Sequence, residues 1–250
     1  MNTAAGPGNA GDGWTIVIPV KILERAKSRL ASSFSPTDRR TLVVAMATDV
    51  ITACRDTPGV GHIRVVGTDP EIAQVAADLG AEFVADPTGA PTRSGDHPAG
   101  AHVVTEDPLN TALGRAMSGV RGPIGVVAAD LPELNSRLLT GILDRASRHQ
   151  HSIVADHRGH GTTMAFWTGS ADRVSHFGAG SADRFRHLGD AVAIAADSTN
   201  WAAAARDVDT PEDVADLVGR RVGSATEHAL RRVPTPLRAR DGTESVTMVR

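Results

Sequence analysis

The chain has 250 residues, 41% of them apolar, and a formal net charge of −3 at neutral pH. That is enough apolar material for the core of one large α/β domain, and the slightly acidic balance leaves no basic footprint for nucleic acid. The single cysteine, Cys54, excludes an internal disulfide, and no apolar run approaches the ~18 residues of a membrane span. With aromatics at 3%, the expected core is Val, Ile, Leu and Ala.

Residues 1–13, MNTAAGPGNAGDG, lack the charged and apolar regions of a signal peptide. They read as a disordered extension of a cytoplasmic protein. Trp14–Val20 is a nearly continuous apolar run, which fits a strand buried on both faces. Ser35 followed by Pro36 is an N-cap with proline at the first helical position, and the helix is expected to run to about Arg55. Leu42, Val43, Met46, Val50 and Ile51 carry its apolar period. HIRVVGT then predicts a second strand, Pro70–Leu79 a helix, and AEFVAD a third strand. Residues 86–108 are rich in Pro, Gly, Thr and Ser and read as a long loop, either disordered or a lid over a site. A helix from about Leu109 to Val120 precedes GPIGVVAAD, the strongest strand signal, which ends at Asp130.

Beyond Asp130, LPEL turns into a helix reaching about His149. HSIVADH and GTTMAFW read as two strands joined at Arg158–Gly161. FGAGSADRF is a glycine-rich turn entering a short helix at Ser181, DAVAIAA is a strand, and Thr210 with Pro211 caps a further helix. Alternating strands and helices mark a mostly parallel sheet with helices on both faces. The domain is expected to span 14–222, with 223–250 as a tail.

Of the 26 basic Lys and Arg residues, all but Lys21 and Lys27 are arginine. Their retention in one loop after the first strand suggests sites that need a compact ammonium, which suits phosphate at the carboxyl end of a strand. Asp130 stands at another strand end. Asp207 and Asp209 alternate about Val208, so their side chains point to the same side. Three carboxylates on two strand ends could hold a divalent ion, and Mg²⁺ prefers one or two carboxylates with phosphate oxygens and water. Plainer readings stay open: an Asx-turn before Leu131–Pro132 for Asp130, and turn chemistry before Thr210–Pro211 for Asp209. Phe177–Ser181 places N–H groups and a hydroxyl at a helix start, an arrangement that binds phosphate or carboxylate, and Gly159–Thr163 is a second Gly/Thr turn. The histidines show no metal-ligand spacing. There is no Gly-x-Ser-x-Gly elbow, Walker loop or GxGxxG.

IPVKILERAKSRLA, DRRTLVVAMATDVI, LNTAL, VVAADLPEL, VADHRGHGTT, FGAGS and RDVDTPEDV occur in this order over about residues 14–220. Together they resemble the 2-phospho-L-lactate/phosphoenolpyruvate guanylyltransferases of coenzyme F-420 biosynthesis. The PVK-x5-KSRL block with FGxGS is the specific part. The resemblance implies a single-domain nucleotidyltransferase fold of the GT-A-like type, with Mg²⁺ as cofactor. It implies that GTP and a three-carbon phosphate are joined into a diphosphate with loss of pyrophosphate. Lys21 and Lys27 fall on the family's phosphate-contacting lysines, Asp130, Asp207 and Asp209 on its metal-binding acids, and Thr163, Gly178 and Ser181 on its acceptor-binding positions. Phe185 stands where the family pattern often has a His four residues after the FGxGS serine. The 86–108 insertion and the tail exceed the usual core.

The residues make that reaction reasonable in their own right. An acceptor phosphate, with a second pKa near ~6, is already an anionic nucleophile at pH 7 and needs no general base. Charge is the difficulty, and lysines, Mg²⁺ and N–H groups answer it. The expected partners are therefore GTP and a three-carbon phosphate, phosphoenolpyruvate before 2-phospho-L-lactate or 3-phosphoglycerate, with product passed to a downstream transferase. Asn110, with Glu106, is the candidate for contacting the guanine nucleotide. A non-catalytic GTP sensor is the alternative from a different class. Keeping three acids disfavours it.

Overall fold

A computed structural model describes residues 13–20, 28–86, 107–169, 173–194 and 201–234. Lys21, Lys27 and Glu106 lie outside the described residues, as do 1–12, 87–106 and 235–250.

A seven-stranded sheet forms the centre, built from β1 (Trp14–Pro19), β2 (Val60–Gly67), β3 (Glu82–Ala85), β4 (Ile124–Val127), β5 (His151–Ala155), β6 (Thr162–Trp167) and β7 (Val192–Ala193). Their order across the sheet is β3-β2-β1-β4-β6-β5-β7. β1 pairs in parallel with both β2 and β4, β2 with β3, and β5 with β7. β6 runs against β4 and β5, so the sheet is parallel except at that strand. The reversal follows from the short turn between β5 and β6. There the Asp156 carboxylate accepts N–H bonds from Arg158, His160 and Gly161, and Gly159 takes φ = 77°, a left-handed conformation suited to glycine.

Seven helices cover the sheet among the described residues: α1 (Pro36–Arg55), α2 (Pro70–Asp78), α3 (Pro108–Met117), α4 (Ser136–Ala146), α5 (Ser181–Leu188), α6 (Pro211–Asp216) and α7 (Ser224–Leu230). The alternation of β1 explains the two faces. Ile16 and Ile18 point into a core shared with α1, α2, α4 and α7, whereas Val17 points into a second core with α3 and α5. All three are fully buried. Each such side chain contributes roughly 1.5–3 kcal/mol through apolar burial. The expected capping holds: Ser35 and Asp38 form a reciprocal capping box at α1, and Thr210 and Asp213 form one at α6. None of the described helices is long and apolar enough to cross a membrane.

Three expectations need correction. The strand before Asp130 ends at Val127, three residues early. Ala128 N–H still reaches Thr163 C=O, but the chain then bends, and Asp130 C=O accepts from Val208 N–H instead of a neighbouring strand. The strand in DAVAIAA shrinks to Val192–Ala193 at the sheet edge. The tail expected from 223 begins as a helix: α7 packs on α1, with Thr226 and Ala229 buried. Its start is capped by Asp49 of α1, whose carboxylate accepts from Ala225 and Thr226 N–H at 3.0 and 2.7 Å. Seven residues with a remote cap carry little apolar period of their own, so no helical signal shows in the sequence there.

Candidate active site

β2 and β4 lie on opposite sides of β1, so the direction of winding reverses between β1 and β4. In open α/β sheets such a switch point leaves a crevice outside the carboxyl ends of the strands. A cleft of about 570 Å³ opens there. Pro19 at the end of β1 with Val20 beyond it, Ala128–Asp130 after β4, Asp156 after β5 and Thr162–Thr163 at the start of β6 form its floor. Phe177–Ser181 forms one wall, and Arg29, Asp207 and Asp209 close the other side.

Asp130, Asp207 and Asp209 meet on that side. Each presents a carboxylate oxygen, and the three atoms lie within 4.8 Å of one another. Asp130 arrives from the bend after β4. Asp207 and Asp209 arrive from the extended segment before α6, whose alternation turns both toward the cleft. Val208 between them points the other way and is buried. The segment is fixed at both ends: Val208 N–H donates to Asp130 C=O at 3.2 Å, and Asp213 accepts from the N–H groups of Asp209 and Thr210. Basic side chains border the acids. The Arg29 guanidinium lies 3.9 Å from Asp209, and the His157 ring Nδ1 lies 3.5 Å from Asp207. An all-oxygen donor set of this kind matches the hard cations Mg²⁺ or Ca²⁺ and not a thiolate- or imidazole-preferring metal.

The opposite wall is built differently. Gly178 (φ = 120°) and Gly180 (φ = 68°) turn the chain into α5. Arg184, one turn into that helix, folds back under the turn and donates to the carbonyls of His176, Phe177 and Ala179. Asn110 of α3 grips the same turn. Its Nδ2 donates to Phe177 C=O, and its Oδ1 accepts from Phe177 N–H and from the Ser175 hydroxyl. Both ends of the Asn110 amide are therefore engaged with protein, and it does not line the cleft. In this structure the Asn110 amide holds the FGAGS turn.

Thr163, Gly178 and Ser181 all line the cleft, but their roles are more indirect than a list of contacts implies. The Thr163 hydroxyl is buried and donates to Ala204 C=O at 2.8 Å, which leaves it no proton for an anion. Ser181 Oγ bonds Thr162 Oγ1 at 3.0 Å. That pair uses one hydroxyl proton internally and keeps one for the cleft; Thr162 belongs to the Gly159–Thr163 turn, which the sequence offers as a second anion-type turn. At the start of α5, Ser181 N–H is taken by Gly178 C=O and Ala182 N–H by His160 C=O. The first two N–H groups of α5 are therefore taken by protein carbonyls.

Other side chains settle negatively. Cys54 is fully buried, and burial alone pushes its thiol up to about 12, as expected of a core residue and not a nucleophile. Phe185 is fully buried and makes edge contacts with His151, Trp167, His176 and Phe177. At that position the chain has core packing where the family pattern often carries a polar ring. Arg184 and Asp156 were missed as organisers because their partners are backbone groups, which leave no trace in residue identity.

The sequence profile of a family described as "Guanylyl transferase CofC like" matches residues 14–90 and 94–249. A phosphoenolpyruvate guanylyltransferase of Mycolicibacterium gilvum is 40% identical over 218 residues, covering 86% of this chain and 94% of its own. One from Nocardia farcinica is 34% identical over 220 residues, covering 86% and 89%. Among solved structures, a protein assigned as a nucleotide-diphospho-sugar transferase of Desulfovibrio desulfuricans superposes with a TM-score of 0.57 at 14% identity, over 88% of this chain and 98% of that one. A Methanothermobacter nucleotidyl transferase gives 0.51 at 15% identity, over 89% and 100%. These structures support the fold, and the sequence relatives support the family. The chain belongs to the CofC-like guanylyl transferase family.

Proposed function

We propose that this protein transfers the guanylyl group of GTP to phosphoenolpyruvate, producing enolpyruvyl-diphospho-5'-guanosine and pyrophosphate, in the biosynthesis of coenzyme F-420. The observation that carries the reading is a single cleft with three clustered carboxylates on one side and a glycine turn of anion-binding type on the other. Relatives that share most of the chain's length bear the name of this activity.

In this reading a phosphate oxygen of the acceptor attacks the α-phosphorus of GTP. The bond from that phosphorus to the α,β-bridging oxygen breaks, and its electron pair leaves with pyrophosphate. The acceptor phosphate is ionised at pH 7, so no side chain needs to remove a proton. Asp130, Asp207 and Asp209 would hold Mg²⁺, which supplies charge neutralisation on the phosphates when bound. Lys21 and Lys27, by their place in the family motif, would contact the phosphates as point charges. The Phe177–Ser181 turn and the Thr162–Ser181 hydroxyl pair would seat the acceptor anion. The rest of the task is positioning, which is where such reactions gain most of their rate.

The test is pyrophosphate release from GTP with Mg²⁺ and, in parallel, phosphoenolpyruvate, 2-phospho-L-lactate or 3-phosphoglycerate. Release dependent on phosphoenolpyruvate is expected. Because the product is activated for onward transfer, a downstream transferase would be included to consume it. Preference for another acceptor would correct the substrate. GTP binding without release by any acceptor would identify a sensor and defeat the enzymatic reading.

A further inference from the structure

The three acids sit on two chain segments that meet only through tertiary contacts, one after β4 and one before α6. Behind the cleft, an ion pair joins those segments. Glu133, three residues past Asp130, accepts through Oε2 from Nη1 of Arg206 at 2.7 Å, and Arg206 immediately precedes Asp207. Glu133 Oε1 also lies 3.8 Å from Nη1 of Arg220, in the turn after α6. None of these three residues lines the cleft. The Glu133 side chain is 11% exposed and that of Arg206 27%, against 61% for Glu82 in its surface pair with Arg64.

Taking a carboxylate this far out of water costs free energy that its partner must offset, so the pair is poor evidence for stability by itself. Its position is more informative. One backbone bond already runs between the same segments, Val208 N–H to Asp130 C=O, and Pro132 C=O accepts from Gly223 N–H at the start of α7. The ion pair adds a side-chain contact just outside Asp130 on one strand of chain and just outside Asp207 on the other.

We propose that the Glu133–Arg206 pair is a positioning device that sets the spacing between Asp130 and the Asp207/Asp209 pair, and through that spacing the affinity for a divalent cation. This rests on the reading of the three acids as cation ligands. Glu133 and Arg206 touch neither substrate nor cation and act through the acids. A purely electrostatic role predicts something different. Arg206 is a permanent cation beside Asp207, so removing its charge would strengthen cation binding if geometry did not matter. A positioning role requires that the same change weaken it.

The experiment is Mn²⁺ binding to the full-length protein without nucleotide, read by electron paramagnetic resonance, with thermal melts as the control for folding. Wild type is expected to bind, and Asp130→Asn to lose binding. Glu133→Gln and Arg206→Gln should each weaken Mn²⁺ by about tenfold, the lower end for residues that orient ligands from behind. Their double variant should bind no more weakly than the worse single one, since both act through one contact. Arg206→Lys, which keeps the charge, should stay within about threefold of wild type because the contact is single and not bidentate. Should Glu133→Gln fail to fold, the two Arg206 variants decide the matter alone. Unchanged binding in a folded single variant, tighter binding in Arg206→Gln, or losses that multiply in the double variant would overturn the positioning role. If Asp130→Asn binds Mn²⁺ as wild type does, the ligand reading fails and takes this proposal with it. If only the Asp130 variant loses binding, the ligand reading stands and the proposal falls.

Discussion

The two walls of the cleft are made by opposite means. On the acid side the reactive side chains themselves point into the cleft, and backbone and ion-pair contacts hold them from behind. On the glycine side nearly every polar side chain is turned inward. Asn110 and Arg184 both bond backbone groups of the turn and so present a shaped turn to the cleft in place of themselves. One wall works by charge and the other by backbone shape. A charge is removed by one substitution that leaves the fold intact, whereas a shape is lost in degrees and usually with some stability.

The sharpest break should come from Asp130→Asn. It deletes one charge of the three without changing side-chain volume, so turnover should fall by about 10³-fold or more, as when a main electrostatic contact is removed. The melting temperature should stay within a few degrees of wild type. Pyrophosphate release close to wild type from the folded variant would show that the acids are not the charged wall.

Gly178→Val comes next. At φ = 120° a side chain is strained, and a Cβ would lie 3.2 Å from Arg184 Nη2 and 3.4 Å from Asp107 Oδ2. About 1–3 kcal/mol of backbone strain is expected. The acceptor KM should rise at least about tenfold, and more than the GTP KM, because a valine blocks close approach of an anion to the turn. A rise confined to GTP would reverse the assignment of the two substrates to the walls.

Asn110→Ala should be milder. It leaves Phe177 N–H without its partner and Phe177 C=O with Arg184 alone, at about 1–3 kcal/mol in stability. The acceptor KM should rise by severalfold with kcat little changed, since the turn survives but loses one anchor. Equal losses in kcat and kcat/KM would mean that Asn110 acts in the transition state, contrary to its contacts.

The smallest effect concerns pH. The His151 ring stacks on Trp167 and bonds Gly189 C=O through Nδ1. Burial is the main cause holding its pKa below the ordinary value; nearby His176 acts in the same direction, while the Gly189 bond and Asp190 oppose it. The unfolded chain therefore takes up this proton more readily than the folded one, near ~6.5. Stability from this group is complete above that pH and is lost as pH falls toward the depressed folded value. His176, depressed chiefly by burial and then by the Arg184 charge, adds in the same sense. A drop of a few degrees in Tm from pH 7 to 5.5 is expected, and His151→Phe should flatten part of it. An unchanged slope in that variant would assign the pH dependence elsewhere.

Local chemistry made much of this legible. Ser35-Pro36 and Thr210-Pro211 start helices where they stand because a cap and a fixed φ act over three or four residues. The apolar run of β1 marked a doubly covered strand for a related reason: burial on both faces leaves little room for polar residues, and only Thr15 is polar there. Alternation about Val208 placed Asp207 and Asp209 on one side; Asp130 reaches them through the bend after β4, whose Asp130 C=O accepts from Val208 N–H. Where the reading fell short, the cause was distance along the chain. Asn110 and Phe177 are far apart in sequence, as are Asp49 and Thr226, and neither pair shows in the identity of its members.

The sequence by itself determined the strand–helix alternation, the caps and which acids share a face, because these depend on neighbours within a turn or a pleat. Only the tertiary structure decided which polar groups face the cleft and which hold it up. A hydroxyl or amide has few bonds to give, and whether a backbone carbonyl from another segment has taken them is settled only once the chain has folded.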